Sequence, residues 1–354
     1  MQAAARHWTG IGFALGAAAL FGASTPLAKS LLGDVSPWLM AGLLYLGVGL
    51  GLGAIRTVAR MKGGERREAP LRRRDAGWLA AVILFGGVAG PVLLMLGLSA
   101  TPASTAALLL NLEGLATLAI AWIVYRENVD LKIGLGAAAI LAGAVVLSWD
   151  GGGIGFDTGI VAIIMACLCW GIDNNLTRKL SSADPVQIAM LKGLVAGGVN
   201  IALSQWQGAT FPSWPMAAGA MALGFLGYGV SLVLFIYGLR HLGAARTGAY
   251  FSLAPFIGAA IAVLAFGEPA SGRLGIAAIL MGIGLYLHLA ERHDHDHVHE
   301  ELVHEHAHRH DEHHRHEHTP DDPPGESHVH VHRHARLIHR HPHYPDIHHH
   351  HRHG

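Results

Sequence analysis

Long apolar runs, each closed by a short joint rich in proline, glycine or charge, set the pattern of this chain. About 20 apolar residues in a helix cross a bilayer core, and ten stretches reach that length. They are Gly10–Leu32, Trp38–Val58, Gly77–Ser99, Ala103–Tyr125, Leu131–Trp149, Thr158–Thr177, Val186–Trp206, Ala217–Leu239, Ala244–Phe266 and Leu274–Ala290. Pro37, Pro102, Pro185, Pro212, Pro215 and the run Gly151-Gly152-Gly153 fall in the joints, where residues that interrupt helical hydrogen bonding belong. The pattern predicts ten helices strung as antiparallel neighbours. The first run follows Arg6 and lacks a convincing cleavage site before the next span, so it reads as a retained helix.

Composition agrees with lipid as the solvent for most of the chain: 51% of the 354 residues are hydrophobic and 14% charged, where a soluble domain carries nearer a quarter. Mean hydropathy is +0.36. A net charge of +0 with histidine neutral provides no basic field for nucleic acid. The two cysteines, Cys167 and Cys169, lie inside one apolar run and fit neither a disulfide framework nor a zinc ribbon. They read as small packing residues, with a soft-metal pair as the alternative.

Basic residues gather in alternate joints. With the N-terminus inside, the inner set gathers Arg6, Arg56, Arg60, Lys62, Arg66, Arg67, Arg72, Arg73, Arg74, Arg126, Lys132, Arg178, Lys179, Arg240, Arg246 and Arg292, while Lys29 and Arg273 stay outside. The enrichment of Lys and Arg in cytoplasmic loops predicts a multi-pass protein with both termini cytoplasmic. Its halves are related. Ala103 to Glu127 aligns without gaps with Ala244 to Glu268, Phe21-Gly22 answers Trp170-Gly171, and Pro37 answers Pro185. Five helices per half make these repeats inverted, a design that holds solute near the midplane.

In the order of these paired features, the chain resembles EamA-type transporters of the drug/metabolite transporter superfamily, from Trp8 to Ala290. The resemblance implies an all-α integral membrane protein of ten transmembrane helices as two inverted five-helix repeats, residues 1–149 and 158–290, followed by a tail at 291–354. It implies a carrier without an organic cofactor that moves a small metabolite, amino acid or drug, commonly outward. Two departures stand out: Leu43-Leu44 and Lys192 replace an arginine that family members often carry in the second helix of each half, and Asn111-Leu112-Glu113-Gly114 replaces an apolar, proline-bearing stretch.

Polar groups inside the apolar runs are the candidate chemistry. Trp170 to Lys179 carries Asp173, Asn174 and Asn175 within a membrane-length segment, and an acid facing hydrocarbon costs about 2.5–3.5 kcal/mol on insertion scales. Asn111, Glu113, Lys192 and Tyr250 fall at similar predicted depth, and the seven residues are the candidate solute and coupling pathway. Glu113 suits proton uptake and release because burial disfavours the charged carboxylate. The alternative is an interior ion pair of Glu113 or Asp173 with Lys192. Asn174 and Asn175, about 100° apart on a helix, point to different places.

From residue 291 the composition changes, and 24 of the 27 histidines follow His288. Too few apolar residues remain to offset ordering entropy, so the sequence predicts a disordered tail. Alternating histidines, His293, His295, His297, His299, His304, His306, His308 and His310, with His313 and His314, suit Zn, Ni, Co or Cu(II). Imidazole titration makes a pH sensor the alternative. Three readings follow: an exporter of a small organic solute with a metal-binding tail, a carrier of the metal or its chelate, and a membrane-held reservoir that moves nothing. The expected partners are lipid, solute, a coupling proton and transition metals, with a homodimer left open.

Overall fold

The computed structural model describes residues 2–33, 35–62, 71, 73–126, 130–149, 157–180, 183–289, 293–299, 302–308, 328–334 and 337–343. Ten of its helices are long and apolar enough to cross a membrane: α1 Trp8–Leu32, α2 Pro37–Met61, α3 Arg73–Ala100, α4 Ala103–Tyr125, α5 Leu131–Ser148, α6 Thr158–Leu180, α7 Pro185–Trp206, α8 Trp214–Leu242, α9 Arg246–Leu264 and α10 Gly272–Leu289. Each predicted run is helical, with ends moved by a few residues. Local chemistry sets several of these ends. The Asp130 side chain accepts from the Ile133 amide at the start of α5, Asp157 from Gly159 at the start of α6, and Asp184 from Val186 and Gln187 at the start of α7, satisfying amides that have no intrahelical partner. Arg126, left-handed at φ 55°, closes α4.

Four interruptions pair between the halves. Helix α3 widens into a π segment over Ile83–Ala89, and α8 does so over Phe225–Val230. Helix α4 breaks between Leu109 and Leu112, and α9 between Phe251 and Ala254. The gapless alignment of α4 with α9 brings those two breaks to within one residue of each other.

Packing follows the halves rather than the order of the chain. The main interfaces are α2 with α7, α5 with α10, α1 with α8, α3 with α6, α1 with α9, α4 with α6, α2 with α8, α3 with α7 and α4 with α9. Exchanging α1–α5 for α6–α10 maps this set onto itself. Strung antiparallel neighbours are therefore not the dominant contacts, because small-residue faces select partners across the sequence. On the α2–α7 crossing, a Cβ on Gly193 would stand 2.6 Å from the Gly49 amide nitrogen, and one on Gly197 would stand 2.6 Å from that of Leu46. Only bare backbones approach so closely. Leu39, Met40, Leu43, Leu44, Leu94, Met95, Leu98, Leu108 and Leu109 fill the buried centre, while Trp122, Ile123, Leu135, Ile279 and Tyr286 cover the outside with apolar surface.

Where the sequence predicts disorder after α10, four seven-residue strands pair into two antiparallel ribbons, β1 His293–His299 with β4 Leu337–His343 and β2 Leu302–His308 with β3 His328–His334. Alternation of histidine with other residues is a period-two pattern that a strand can adopt. An isolated two-stranded ribbon is at best marginally stable in water.

Candidate functional site

Helix α6 carries the site. Trp170, Asp173, Asn174 and Thr177 recur at helical spacing, so they face α3, α4 and α7 together. Asp173 and Lys192 of α7 form an ion pair, with side chains 8% and 17% exposed. The Thr177 hydroxyl donates to the other Asp173 oxygen at 3.3 Å. Of the two pairings open to Lys192, the fold selects Asp173.

The π segment of α3 makes room for this pair. A Cβ on Gly86 would run into the Asp173 carboxylate and the Lys192 ammonium. A π segment also shifts the backbone hydrogen-bond register, freeing carbonyls for other donors. The Gly86 carbonyl accepts from the Tyr45 hydroxyl at 2.6 Å and from the Trp170 indole at 3.1 Å. The Gly87 carbonyl accepts from the buried Asn200 amide at 3.2 Å. One glycine turn thereby joins α2, α6 and α7 around the charges.

Glu113 lies just past the break in α4. Its carboxylate accepts from the Asn174 side chain at 2.9 Å, and Asn174 also donates to the Thr117 hydroxyl at 3.2 Å. Asn174 is exposed and Glu113 part-exposed. Asn175 turns inward, as its position on the helix requires, and donates to the carbonyls of Thr117 and Gly171 at 3.0 and 2.9 Å. Glu113, Asp173, Asn174 and Lys192 thus gather at the α3–α4–α6–α7 junction, with Asn175 locking α6 to α4. Asn111 stays apart. Its amide donates to the Leu108 carbonyl of its own broken turn at 2.8 Å and lies 3.7 Å from the Met281 sulfur. The Tyr250 side chain, part-buried on α9, makes no hydrogen bond or ring contact among the described residues.

An aromatic run leads away from the charges. The Tyr45 ring lies 6.1 Å from Tyr228, Tyr228 lies 5.7 Å from Phe21, Phe21 lies 5.3 Å from Phe251, and Phe251 lies 4.9 Å from Phe235. The run lies on α1, α2, α8 and α9, so charges occupy one side of the molecule's centre and rings the other. Sequence reasoning passed over Tyr45, Gly86, Thr117 and Asn200. Tyr45 and Asn200 did carry a signal, as polar groups at mid-depth of α2 and α7.

A second polar group closes one face. Glu268, in the α9–α10 turn, accepts from the backbone amides of Ala103 and Ser104 at 2.7 and 2.8 Å, and Lys29 at the end of α1 donates to the carbonyls of Leu98 and Thr101. Partial burial pushes the Glu268 carboxyl up. The Ser104 hydroxyl, the two amides and the Lys29 charge outweigh that, holding it below its ordinary value of 4.5. Both halves thus grip the α3–α4 turn.

The described residues contain no group of three or more His, Cys, Asp or Glu side chains able to hold a metal. Cys167 and Cys169 are free and buried, and the Cys167 thiol faces the Leu109 carbonyl at 3.6 Å. Among the tail histidines, His293, His295, His297 and His299 lie on β1 and His304, His306 and His308 on β2. His310, His313 and His314 lie outside the described residues.

The model of the EamA-like transporter family matches the chain twice, over residues 8–149 and 157–290. The chain belongs to this family. It is a multi-pass membrane protein, and its relatives are named as transporters. One from Methanothermobacter thermautotrophicus, an uncharacterized transporter, is 30% identical over 285 residues, 75% of this chain and 82% of that protein. Another, from Streptantibioticus cattleyicolor, is a probable terminal-alkyne amino-acid exporter, 26% identical over 219 residues, 59% of this chain and 74% of that one. A solved crystal structure with 22% identity superposes with a TM-score of 0.57, covering 80% of this chain and 95% of the other, which places the two in one fold.

Proposed function

We propose that the protein is a secondary-active exporter of a small amino-acid-like solute, built as two inverted five-helix repeats in the cytoplasmic membrane with both termini cytoplasmic. The observation that carries this reading is the junction of Glu113, Asn174, Asp173 and Lys192 in mid-bundle, where Asn174 is exposed and Glu113 part-exposed. Charge at such depth is costly and is commonly found on solute and ion paths. Glu113 receives a neutral donor where Asp173 receives a cation, which suits Glu113 to exchange a proton for the solute's ammonium. The aromatic run from Tyr45 to Phe235 suits an apolar side chain. The relative from Streptantibioticus cattleyicolor, named for amino-acid export, supports the same solute class.

The tail has its own part in this proposal, as a cytoplasmic metal buffer. In register, His293, His295 and His297 stand opposite His343, His341 and His339, and His304, His306 and His308 opposite His332, His330 and His328. Imidazoles repeating along a ribbon suit Zn, Ni, Co or Cu(II). Supply of the metal or its chelate to the bundle is the rival reading.

Reconstituted vesicles loaded with single amino acids test the first claim. Efflux that rises with an inward proton gradient and vanishes in Glu113→Gln is expected. Equal efflux from wild type and variant removes Glu113 from the path, and uptake of Zn(II) without amino-acid efflux favours the rival.

A further inference from the structure

A cavity of about 640 Å³ opens on the face where α4, α6 and α10 begin and α5 ends. It is separate from the junction of Glu113 and Asp173. Thr101, Thr105, Ser148, Trp149, Asp157 and Arg273 contribute to its wall. Thr101 is 2% exposed, and its hydroxyl has no hydrogen-bond partner. Opposite it stands Gly159, where any Cβ would run into that hydroxyl. The absent side chain leaves this buried hydroxyl unmatched in a residue that lines the cavity. A buried polar group without a partner is a cost the fold bears unless something fills the site.

The charges on the wall say what that is. Arg273 is exposed and anchored by a hydrogen bond to the Trp149 carbonyl, which leaves other guanidinium N–H groups for a ligand. Asp157 is exposed as well, and one of its oxygens caps α6 through the Gly159 amide at 3.0 Å. A fixed cation, a fixed anion and a buried hydroxyl in one cavity match a molecule carrying both signs. The indole of Trp149 and the side chain of Leu147 add an apolar surface.

We propose that this cavity binds a small zwitterion, with its carboxylate or phosphate at Arg273 and the Thr101 hydroxyl and its ammonium at Asp157. The same head-group chemistry belongs to a free amino acid and to an ethanolamine phospholipid. The site is independent of the export reading. It shares the Thr101–Pro102 turn with the grip of Lys29 and Glu268, so an occupant braces that turn.

The test uses the full-length protein in nanodiscs of phosphatidylglycerol, titrated with L-alanine or phosphoethanolamine and read by tryptophan fluorescence. A saturable change is expected, absent in Trp149→Phe. Thr101→Val and Arg273→Gln weaken binding at least tenfold, and Thr101→Ser keeps it. Acetate and methylammonium alone give no saturation. In nanodiscs containing phosphatidylethanolamine, loss of the titration assigns the site to the lipid head group, and its persistence assigns it to free solute. The proposal is overturned if neither probe saturates in phosphatidylglycerol and the purified protein retains no ethanolamine lipid. Binding indifferent to both Thr101→Val and Arg273→Gln, or equal binding of acetate, also overturns it.

Discussion

Replacing Lys192 by Met removes the cation from a pair whose members are 17% and 8% exposed and leaves the Asp173 carboxylate, among the described residues, with only the Thr177 hydroxyl at 3.3 Å. Breaking a buried pair by deleting one partner costs about 3–5 kcal/mol, roughly a hundred- to several-thousand-fold in the unfolding equilibrium at about 1.4 kcal/mol per decade. Pairing Lys192→Met with Asp173→Asn deletes both charges, and neutral replacement of a buried pair is often cost-free. Denaturant titration in mixed micelles, followed by loss of helix, should show a large drop for the single variant and recovery of most of it in the double. Vesicle efflux read on the same samples separates structure from pathway: the double variant should be stable yet inactive. If Lys192→Met unfolds like wild type, the buried-pair reasoning fails. If the double variant also transports normally, the pair is structural and leaves the mechanism.

Gly193→Leu drives a side chain into the α2 backbone, where even a Cβ meets the Gly49 nitrogen at 2.6 Å. Overpacking of this kind costs about 1–3 kcal/mol or more, whereas Gly198→Ala, with nothing within 4 Å, should be silent in a thermal melt. Glu268→Ala should destabilise the fold by about 0.5–2 kcal/mol, as loss of a helix cap does. Because the folded Glu268 carboxyl sits below 4.5, its stabilisation is full above the unfolded value and lost as pH falls through the folded one. Melts of Glu268→Gln should therefore fall less steeply than wild type below pH 4.5, the ordinary value of this carboxyl, and an unchanged acid slope would falsify the assigned contacts. Ending the chain at Arg292 should abolish Zn(II) binding, as calorimetry would measure it, while amino-acid efflux persists, and retained binding would place the metal in the bundle.

The sequence determined what depends on consecutive residues. Apolar length fixes ten spans, because a helix must bury every backbone polar group within itself in lipid. Acids at Glu113 and Asp173 stand out against those runs, and the paired order of Phe21-Gly22, Trp170-Gly171, Glu127 and Glu268 reveals two related halves. Tertiary structure decided which of these groups meet. Lys192 could pair with either acid, and the α6–α7 approach gives it Asp173. Tyr45 and Gly86, 41 residues apart, join the site because α3 widens into a π segment. The glycines of α2 and α7, common in any bundle, prove to set the central crossing. Thr101 looks like an ordinary turn residue until Gly159, on another helix, leaves its hydroxyl unmatched beside a cavity. Hydrophobic length is written along the chain, while polar contact is a matter of how closely distant backbones pack.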